Sequence, residues 1–493
     1  MAVIGAGFSG LVSSLLLAQA DKEVVLIERD EKVAPLLRNC SYNGAVVNNA
    51  FQYVGGYYQG GALHESFEQL GIRDALTPIA LNDSGPDSFF GVVDGELVIP
   101  IGLNRVKGVL AGAFPQSEPA LSEYFELIED IFQKFSFFNL KEFFSQISPS
   151  LTSVSLREFL KQRQAPEELV EFLSVYSEML LGVTAREVSV LTHLLGVGAY
   201  FLSAHTFQGG GGALVEVLEK KVREAGVQIL TESEVIRLDC DARRAFSGLS
   251  IRSKRSGQEL VLNTDACLST IHPRRLLQLL PEGRPSELYS QRIANYCGTK
   301  SICLFHLVLD SSVENKYLRN CHLVHKKKDG LFEHLIAVLP NLMANGDTSN
   351  KEQGLSVLIK AWENETNRGC PGRKSGSCFE ATDSFEKICQ QSKPAIWEKI
   401  RYNMKSGLES IFPELSGRYR IIQSLSPCDF DRINGSWHGS SYGVKCSVDR
   451  VDFTSLGPLK RLFLAGQSVI APGIYGTLTS AYMAVDRLMR RNV

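Results

Sequence analysis

Gly5-Ala6-Gly7-Phe8-Ser9-Gly10, entered from the apolar run Ala2-Val3-Ile4, is a Gly-x-Gly-x-x-Gly turn between a strand and a helix, and the chemistry it serves is pyrophosphate binding. Gly5 permits the tight turn, Gly7 lets the backbone approach the phosphates, and Gly10 lets the helix pack closely on the strand. A helix beginning at Phe8 aims unpaired N–H groups and the positive end of its dipole at the ligand. Alone, the pattern is weak in a chain with 42 glycines. Its surroundings strengthen it: residues 11–20 read as a helix, and Glu23-Val24-Val25-Leu26-Ile27-Glu28 as a buried parallel strand ending in an acid, where a carboxylate binds a ribose hydroxyl. Glu28 favours an unphosphorylated ribose, hence FAD or NAD rather than NADP.

A second segment with chemistry in it lies near the other end. Leu462-Phe463-Leu464-Ala465-Gly466 reads as a strand, residues 476–490 as a helix, and the loop between them carries Pro472, Gly473 and Gly476. Amides at that helix start are free to face a ligand and stabilise negative charge, such as collects at the N1/O2 edge of a reduced flavin ring; an ordinary capped helix is the alternative.

These two segments need a large scaffold. At 493 residues the chain exceeds the length at which single cores stop growing, so two domains are expected. Hydrophobic residues at 44% and charged residues at 22% fit a globular protein with a sizeable core. A net charge of −2 gives no electrostatic footprint for nucleic acid, and the basic runs Lys326 to Lys328 and Arg487 to Arg491 read as solvated faces. The eleven cysteines show no C-x-x-C pairing, which points to a reducing compartment. Cys321-His322 with His325 reads as alternating strand positions rather than metal ligands, and no metal is expected. No charged-then-apolar leader and no apolar run of about 20 residues is seen, so a cytoplasmic chain without a membrane span is expected.

Between the two segments the pattern changes repeatedly. Residues 46–61 read as loop with short strands, and 103–205 as helices, with Phe125, Phe132, Phe135, Phe137, Phe138, Phe143 and Phe144 clustered in the span 121–144. A packed core and an apolar substrate channel or membrane-contact face both fit that cluster. The glycine run Gln208 to Leu214 enters a helix and returns to strands at 227–231 and 235–239, without the context of a second dinucleotide site. Electrons must therefore pass by direct contact with a small molecule or with a partner left open here. Strands are expected at 302–309, 322–325, 331–339 and 355–362, a polar surface insertion at 363–392, and a helix at 394–412.

Together these residues resemble the FAD-dependent carotenoid desaturase, carotenoid isomerase and retinol saturase family, within the larger group that includes the amine oxidases. The resemblance rests on Gly5 to Gly10 with Glu28; on Ala50-Phe51-Gln52-Tyr53-Val54-Gly55-Gly56 followed by Leu63 to Ile72; on Gln208 to Leu214; on Ser426-Pro427 through Gly439 to Tyr442-Gly443; and on Leu464-Ala465-Gly466-Gln467-Ser468 with Pro472-Gly473. Residues 103–205 and 310–420 match in pattern only. The family fold is α/β: a Rossmann-like FAD-binding domain of the amine oxidase and phytoene desaturase type, interleaved with a mixed-sheet and helical substrate domain. That implies FAD-binding parts at 1–85, 206–290 and 421–493, a helical first part of the substrate domain at 86–205 and a second part at 291–420.

The resemblance also implies site residues: Gly5, Gly7, Phe8, Ser9 and Gly10 at the pyrophosphate, Glu28 and Arg29 at the adenosine ribose, and Val235 near the adenine. Gly466, Gln467, Gly473, Ile474 and Tyr475 fall beside the flavin. Where relatives carry Gly-Gly-Arg after the acid, this chain has Leu36-Leu37-Arg38, so Arg38 keeps a phosphate-binding option without the glycine approach; Asn48 or Asn49 replaces a further acid. Hydride passes between flavin and one substrate carbon while a proton moves at its neighbour, and Tyr53 and Tyr475 are the implied neutral donors, with packing roles as the alternative. The implied substrate is a long apolar polyene, met through peripheral contact with a membrane. Two rivals stand beside this reading: a flavin amine oxidase, with Trp437, His438, Tyr442 and Lys300 as a cage, and a flavin-free prenyl-binding escort.

Overall fold

The computed structural model describes residues 1–42, 45–91, 93–283, 285–310, 312–313, 321–324, 336–340, 353–362, 394–450 and 454–490. The basic run Lys326 to Lys328, His325, Arg491 and the expected insertion at 363–392 lie outside these.

Ala2–Ile4 and Val25–Ile27 are short, apolar and joined by the helix Phe8–Gln19, which forces them to pair in parallel. Three more strands complete a five-stranded parallel sheet in the order Gln228–Leu230, Val25–Ile27, Ala2–Ile4, Cys267–Ser269, Leu462–Leu464. Both faces are covered, as parallel sheets require. Val3, Leu26, Leu268 and Phe463 face the helices Phe8–Gln19, Gly210–Glu224 and Gly473–Arg490. Ala2, Ile4, Ile27 and Cys267 face an antiparallel sheet of Ser233–Cys240, Phe246–Ser253 and Glu259–Asn263, through Val235, Leu238, Phe246, Leu249 and Ile251. The alternation of neighbours along each strand assigns each side chain its layer.

A second, seven-stranded mixed sheet runs Tyr419–Leu425, Ser301–Leu309, Gln353–Trp362, Ile336–Pro340, Cys321–Val324, Asp87–Phe90, Glu96–Ile99. Helix Pro394–Ile411 covers it, setting Ile400, Met404 and Leu408 on Phe305, Leu307 and Val357. Residues 86–205 are thus not helical throughout, because Asp87–Phe90 and Glu96–Ile99 pair with each other and extend this distant sheet. The helices run from Leu103 to Leu202, and Ala204–Phe207 then pairs with Val54–Gly55 and Pro78–Ala80.

The glycine run serves packing. A Cβ on Gly211 would lie 2.5 Å from the Leu37 carbonyl oxygen, and one on Gly212 would lie 2.8 Å from the Asn39 side chain. Helix Gly210–Glu224 can therefore approach the hairpin of Asn39–Tyr42 and Ala45–Asn48 only without side chains there. Cys40, Cys240, Cys267, Cys303 and Cys446 are free thiols, whereas Cys297 and Cys428 are disulfide-bonded, so scattered spacing does not leave every thiol reduced.

Candidate active site

The C-terminal edge of the parallel sheet is where an open α/β sheet binds ligands, and a cleft of about 480 Å³ opens there. Gly5 has φ +89° and bends the chain off the first strand. Thr270, just past Cys267–Ser269, donates its hydroxyl to the Ile4 and Gly5 carbonyls (2.9 Å each) and fixes the turn. Gly10 lies against Gly5, where a Cβ would come within 1.9 Å of its carbonyl oxygen. Gly7 is different: no heavy atom lies within 4 Å of where its Cβ would be. The space in front of Gly7 and the first-turn amides of helix Phe8–Gln19 is the cradle a pyrophosphate needs.

Glu28 is buried, and its carboxylate accepts from the amides of Ala6 (2.8 Å) and Asp30 (3.1 Å). Burial raises its pKa, and the two amides oppose that rise. It holds the glycine loop to the second strand while lining the cleft. Arg29 also lines the cleft, with its guanidinium donating to the Arg432 carbonyl at 2.8 Å. Val235, Glu234 and Arg275 line the same end. Arg38 does not reach the cleft lining: it pairs with Glu219 on the helix drawn in by the glycine run, and donates to the Val33 carbonyl at 2.8 Å. That commitment removes the phosphate option.

The other end is built by the loop before helix Gly473–Arg490. Gly466, Gln467, Gly473, Ile474 and Thr477 line the cleft. Arg450, buried, donates to the Ser468 and Val469 carbonyls (2.7 and 3.0 Å) and holds that loop. Tyr475 turns away. One residue past Ile474 on a helix, it points roughly a quarter-turn aside, packs against Phe132, Phe135 and Phe137, and donates its hydroxyl to the Gly56 carbonyl at 3.1 Å. Burial raises its pKa. Gly56 leaves the room, since a Cβ there would lie 2.2 Å from the Tyr475 hydroxyl.

Tyr475 instead walls a second cavity of about 940 Å³, with Thr479, Tyr482, Asp486 and Arg490 of the same helix face and Phe135, Phe137, Phe138, Leu140 and Phe144 opposite. The closing helix thus separates two cavities, with Ile474 and Thr477 toward one and Tyr475 and Thr479 toward the other.

Tyr53 does line the cleft, beside Leu180, Tyr200 and Tyr442, and stacks edge-on against Tyr200 at 5.2 Å. Its hydroxyl donates to Asp87, which also accepts from Tyr176. Asp87 is 1% exposed, and burial raises its pKa to about 6 against the pull of the two phenols. Sequence reasoning missed Asp87, Tyr176, Tyr200 and Thr270. For Thr270 a usable signal existed, the end of a short apolar strand; for the others only the pairing of Asp87–Phe90 into the mixed sheet brings them together. The charged lining residues Glu28, Arg29, Asp30, Glu234 and Arg275 belong to the Glu28 end, while Tyr53, Leu180, Tyr200 and Tyr442 carry no charge.

The proposed amine cage does not assemble. Trp437 stacks on His272 and His438 and lies under Arg274 and Arg275, Tyr442 donates to the Met179 carbonyl at 2.8 Å, and Lys300 lies 3.8 Å from Glu178.

The family model for flavin-containing amine oxidoreductases matches residues 8–489. The chain belongs to that family. As a flavin-containing amine oxidoreductase by family it is a flavin-dependent oxidoreductase. It is 23% identical over 538 positions to the all-trans-retinol 13,14-reductase of Macaca fascicularis, covering 100% of this chain and 85% of that protein. It is 19% identical over 527 positions to the 4,4'-diapophytoene desaturase (4,4'-diaponeurosporene-forming) of Staphylococcus aureus (strain COL), covering 99% and 98%. Among solved structures, an oxidoreductase from Methanosarcina mazei superposes with a TM-score of 0.65 at 16% identity over 99% of each chain, a likeness of fold.

Proposed function

We propose that this chain binds FAD in the cleft and acts on carbon–carbon double bonds of a long apolar polyene or isoprenoid, by desaturation, saturation or cis–trans isomerisation. The observation that carries this reading is the uncharged end of the cleft, where Tyr53, Tyr200 and Tyr442 offer rings, Leu180 an aliphatic surface, and none of them a carboxylate to hold an ammonium group. A retinoid reductase and a carotenoid desaturase among the relatives support the same substrate class.

In this reading Gly5, Gly7, Phe8 and Ser9 hold the pyrophosphate on the helix start, Glu28 the adenosine ribose, and Val235 packs near the adenine. Gly466, Gln467, Gly473 and Ile474 lie along the flavin ring. When bound, the flavin supplies hydride exchange. The chain's own residues shut out water and orient the polyene, whose burial at about 25 cal/mol per Å² of apolar surface supplies most of the affinity. In this reading the polyene arrives by peripheral contact with a membrane through the aromatic region around Phe138, which is exposed and lines the larger cavity; among the described residues no helix is long and apolar enough to cross a membrane.

The test is anaerobic spectroscopy. Phytoene should bleach the flavin bands of the oxidised protein, or all-trans-retinol should restore them in the reduced protein, while putrescine and benzylamine leave them unchanged. An amine that bleaches the flavin while both polyenes are inert overturns the reading.

A further inference from the structure

Asp87 is an expensive residue where it stands. It begins the strand Asp87–Phe90, whose register partners are Ile99 and Cys321, and is buried beneath the aromatic core of Phe89, Phe172 and Tyr176. A buried carboxylate is normally matched by a cation or by several donors. Here the partners are two phenols, one per oxygen: Tyr53 on Oδ1 and Tyr176 on Oδ2. The two differ in what lies behind them. Tyr176 is 1% exposed and packs into the core, while Tyr53 lines the cleft at its uncharged end. A purely structural role needs no titratable group: an asparagine could accept from one phenol through its oxygen and donate its NH2 to the other phenol's oxygen, at a lower desolvation cost.

We propose that Asp87 is the proton store behind Tyr53: the phenol relays a proton between the substrate carbon and the Asp87 carboxylate, and Tyr176 holds that carboxylate in place. The inference rests on the double-bond chemistry proposed above. Tyr53 is the catalytic residue in it and Asp87 a positioning residue that acts through Tyr53. In desaturation Tyr53 Oη takes the proton of one C–H bond as its own phenolic proton moves to Asp87 Oδ1, and a C=C bond forms as the neighbouring C–H bond gives up hydride with its two electrons, which a bound oxidised flavin would accept. In saturation the protonated Asp87 refills Tyr53 as Tyr53 protonates one carbon, and the hydride for the neighbouring carbon would come from the reduced flavin. The resting hydrogen bond, donated by Tyr53 to Asp87, already lies along this path. The fully buried carboxyl, displaced to about 6 by desolvation and facing the two phenols as its titratable neighbours, can hold or release the proton near neutrality.

The experiment uses the full-length flavoprotein as wild type, Asp87→Asn, Tyr53→Phe and Tyr176→Phe, each checked for flavin content and melting temperature. Infrared pH-difference spectra of the resting protein should show a carboxylic C=O band that forms on acidification, is missing in Asp87→Asn and shifts in Tyr53→Phe. Anaerobic single turnovers with phytoene and all-trans-retinol between pH 5 and 8 should show a pH inflection near that of the band. Asp87→Asn should abolish the inflection and slow the step at least tenfold, Tyr53→Phe should slow it as much, and Tyr176→Phe should move the inflection while keeping most of the rate. An Asp87→Asn protein with normal flavin content that keeps both rate and inflection overturns the relay. Should neither polyene react with the wild type, the substrate reading fails and the infrared arm decides the pair: a band unmoved in Tyr53→Phe overturns the coupling, and a shifted band supports it.

Discussion

The three glycines of the opening turn do different work, and their substitutions should separate. A side chain at Gly7 meets open space in the protein itself, and its backbone at φ −67° suits any residue. Gly7→Val should therefore melt like wild type stripped of flavin, while flavin occupancy, read as bound absorbance per protein, falls at least tenfold. Gly10→Ala drives a Cβ to within 1.9 Å of backbone at Gly5, so it should lose stability and flavin together. Equal losses of stability in both variants would show that Gly7 is not the phosphate approach. Asp87 yields a prediction of a different kind. Its folded pKa of about 6 lies above the unfolded value of 3.8, so its contribution to stability is fully present below 3.8 and is lost as pH rises through about 6. At 1.36 kcal/mol per unit this amounts to about 3 kcal/mol. Wild type measured against Asp87→Asn in urea titrations should thus lose roughly that much relative stability between pH 4 and pH 7. A difference that does not vary with pH would place Asp87 in an ordinary solvated state.

At the scale of elements, the strand–glycine turn–helix units were legible because their signals are local: apolar strands of three residues, glycines at fixed offsets, a helix after each. The closing helix starts at Gly473 rather than Gly476, inside the loop, because Gly473 at φ +76° can turn the chain where other residues could not. Which face of that helix meets the cleft was not legible, since Ile474 and Tyr475 are both large side chains that could line it, and only the packing of Phe132, Phe135 and Phe137 decides between them. The phenylalanine cluster was ambiguous for the same reason, and the structure divides it. Phe135, Phe137 and Phe143 are buried, while Phe138 is 49% exposed beside the larger cavity. Phe138→Asp should keep flavin content and melting temperature but weaken association with liposomes and turnover of a lipid-borne polyene. Phe135→Asp, which sinks a charge into the core, should instead misfold and lose flavin. Liposome binding unaffected by Phe138→Asp would remove this face from the membrane route.

At the scale of the molecule, the cleft is assembled from segments far apart in sequence: the glycine turn, residues 27–37, residues 233–235, residues 433–443 and the loop at 466–477 all line it. The long-range pairing of Asp87–Phe90 with Cys321–Val324 is a topological fact that no local pattern announces, and it is why the uncharged end of the cleft stayed hidden while the phosphate end could be read from the first ten residues. A ligand touching all five segments couples their unfolding. Binding to the native state alone adds RT ln(1 + [L]/Kd), about 4 kcal/mol when free FAD exceeds its Kd a thousandfold. Protein stripped of flavin should accordingly melt several degrees lower than the loaded form. Added FAD should restore both the melting temperature and the yellow colour, whereas FMN, which lacks the adenosine that Glu28 and Val235 would hold, should restore little of either. Flavin released on denaturation should be intact FAD, as no covalent attachment is required by a site that grips the pyrophosphate. A stripped protein that melts like the loaded one, or that gains as much from FMN as from FAD, would show that the adenosine end of the cleft does not hold the cofactor.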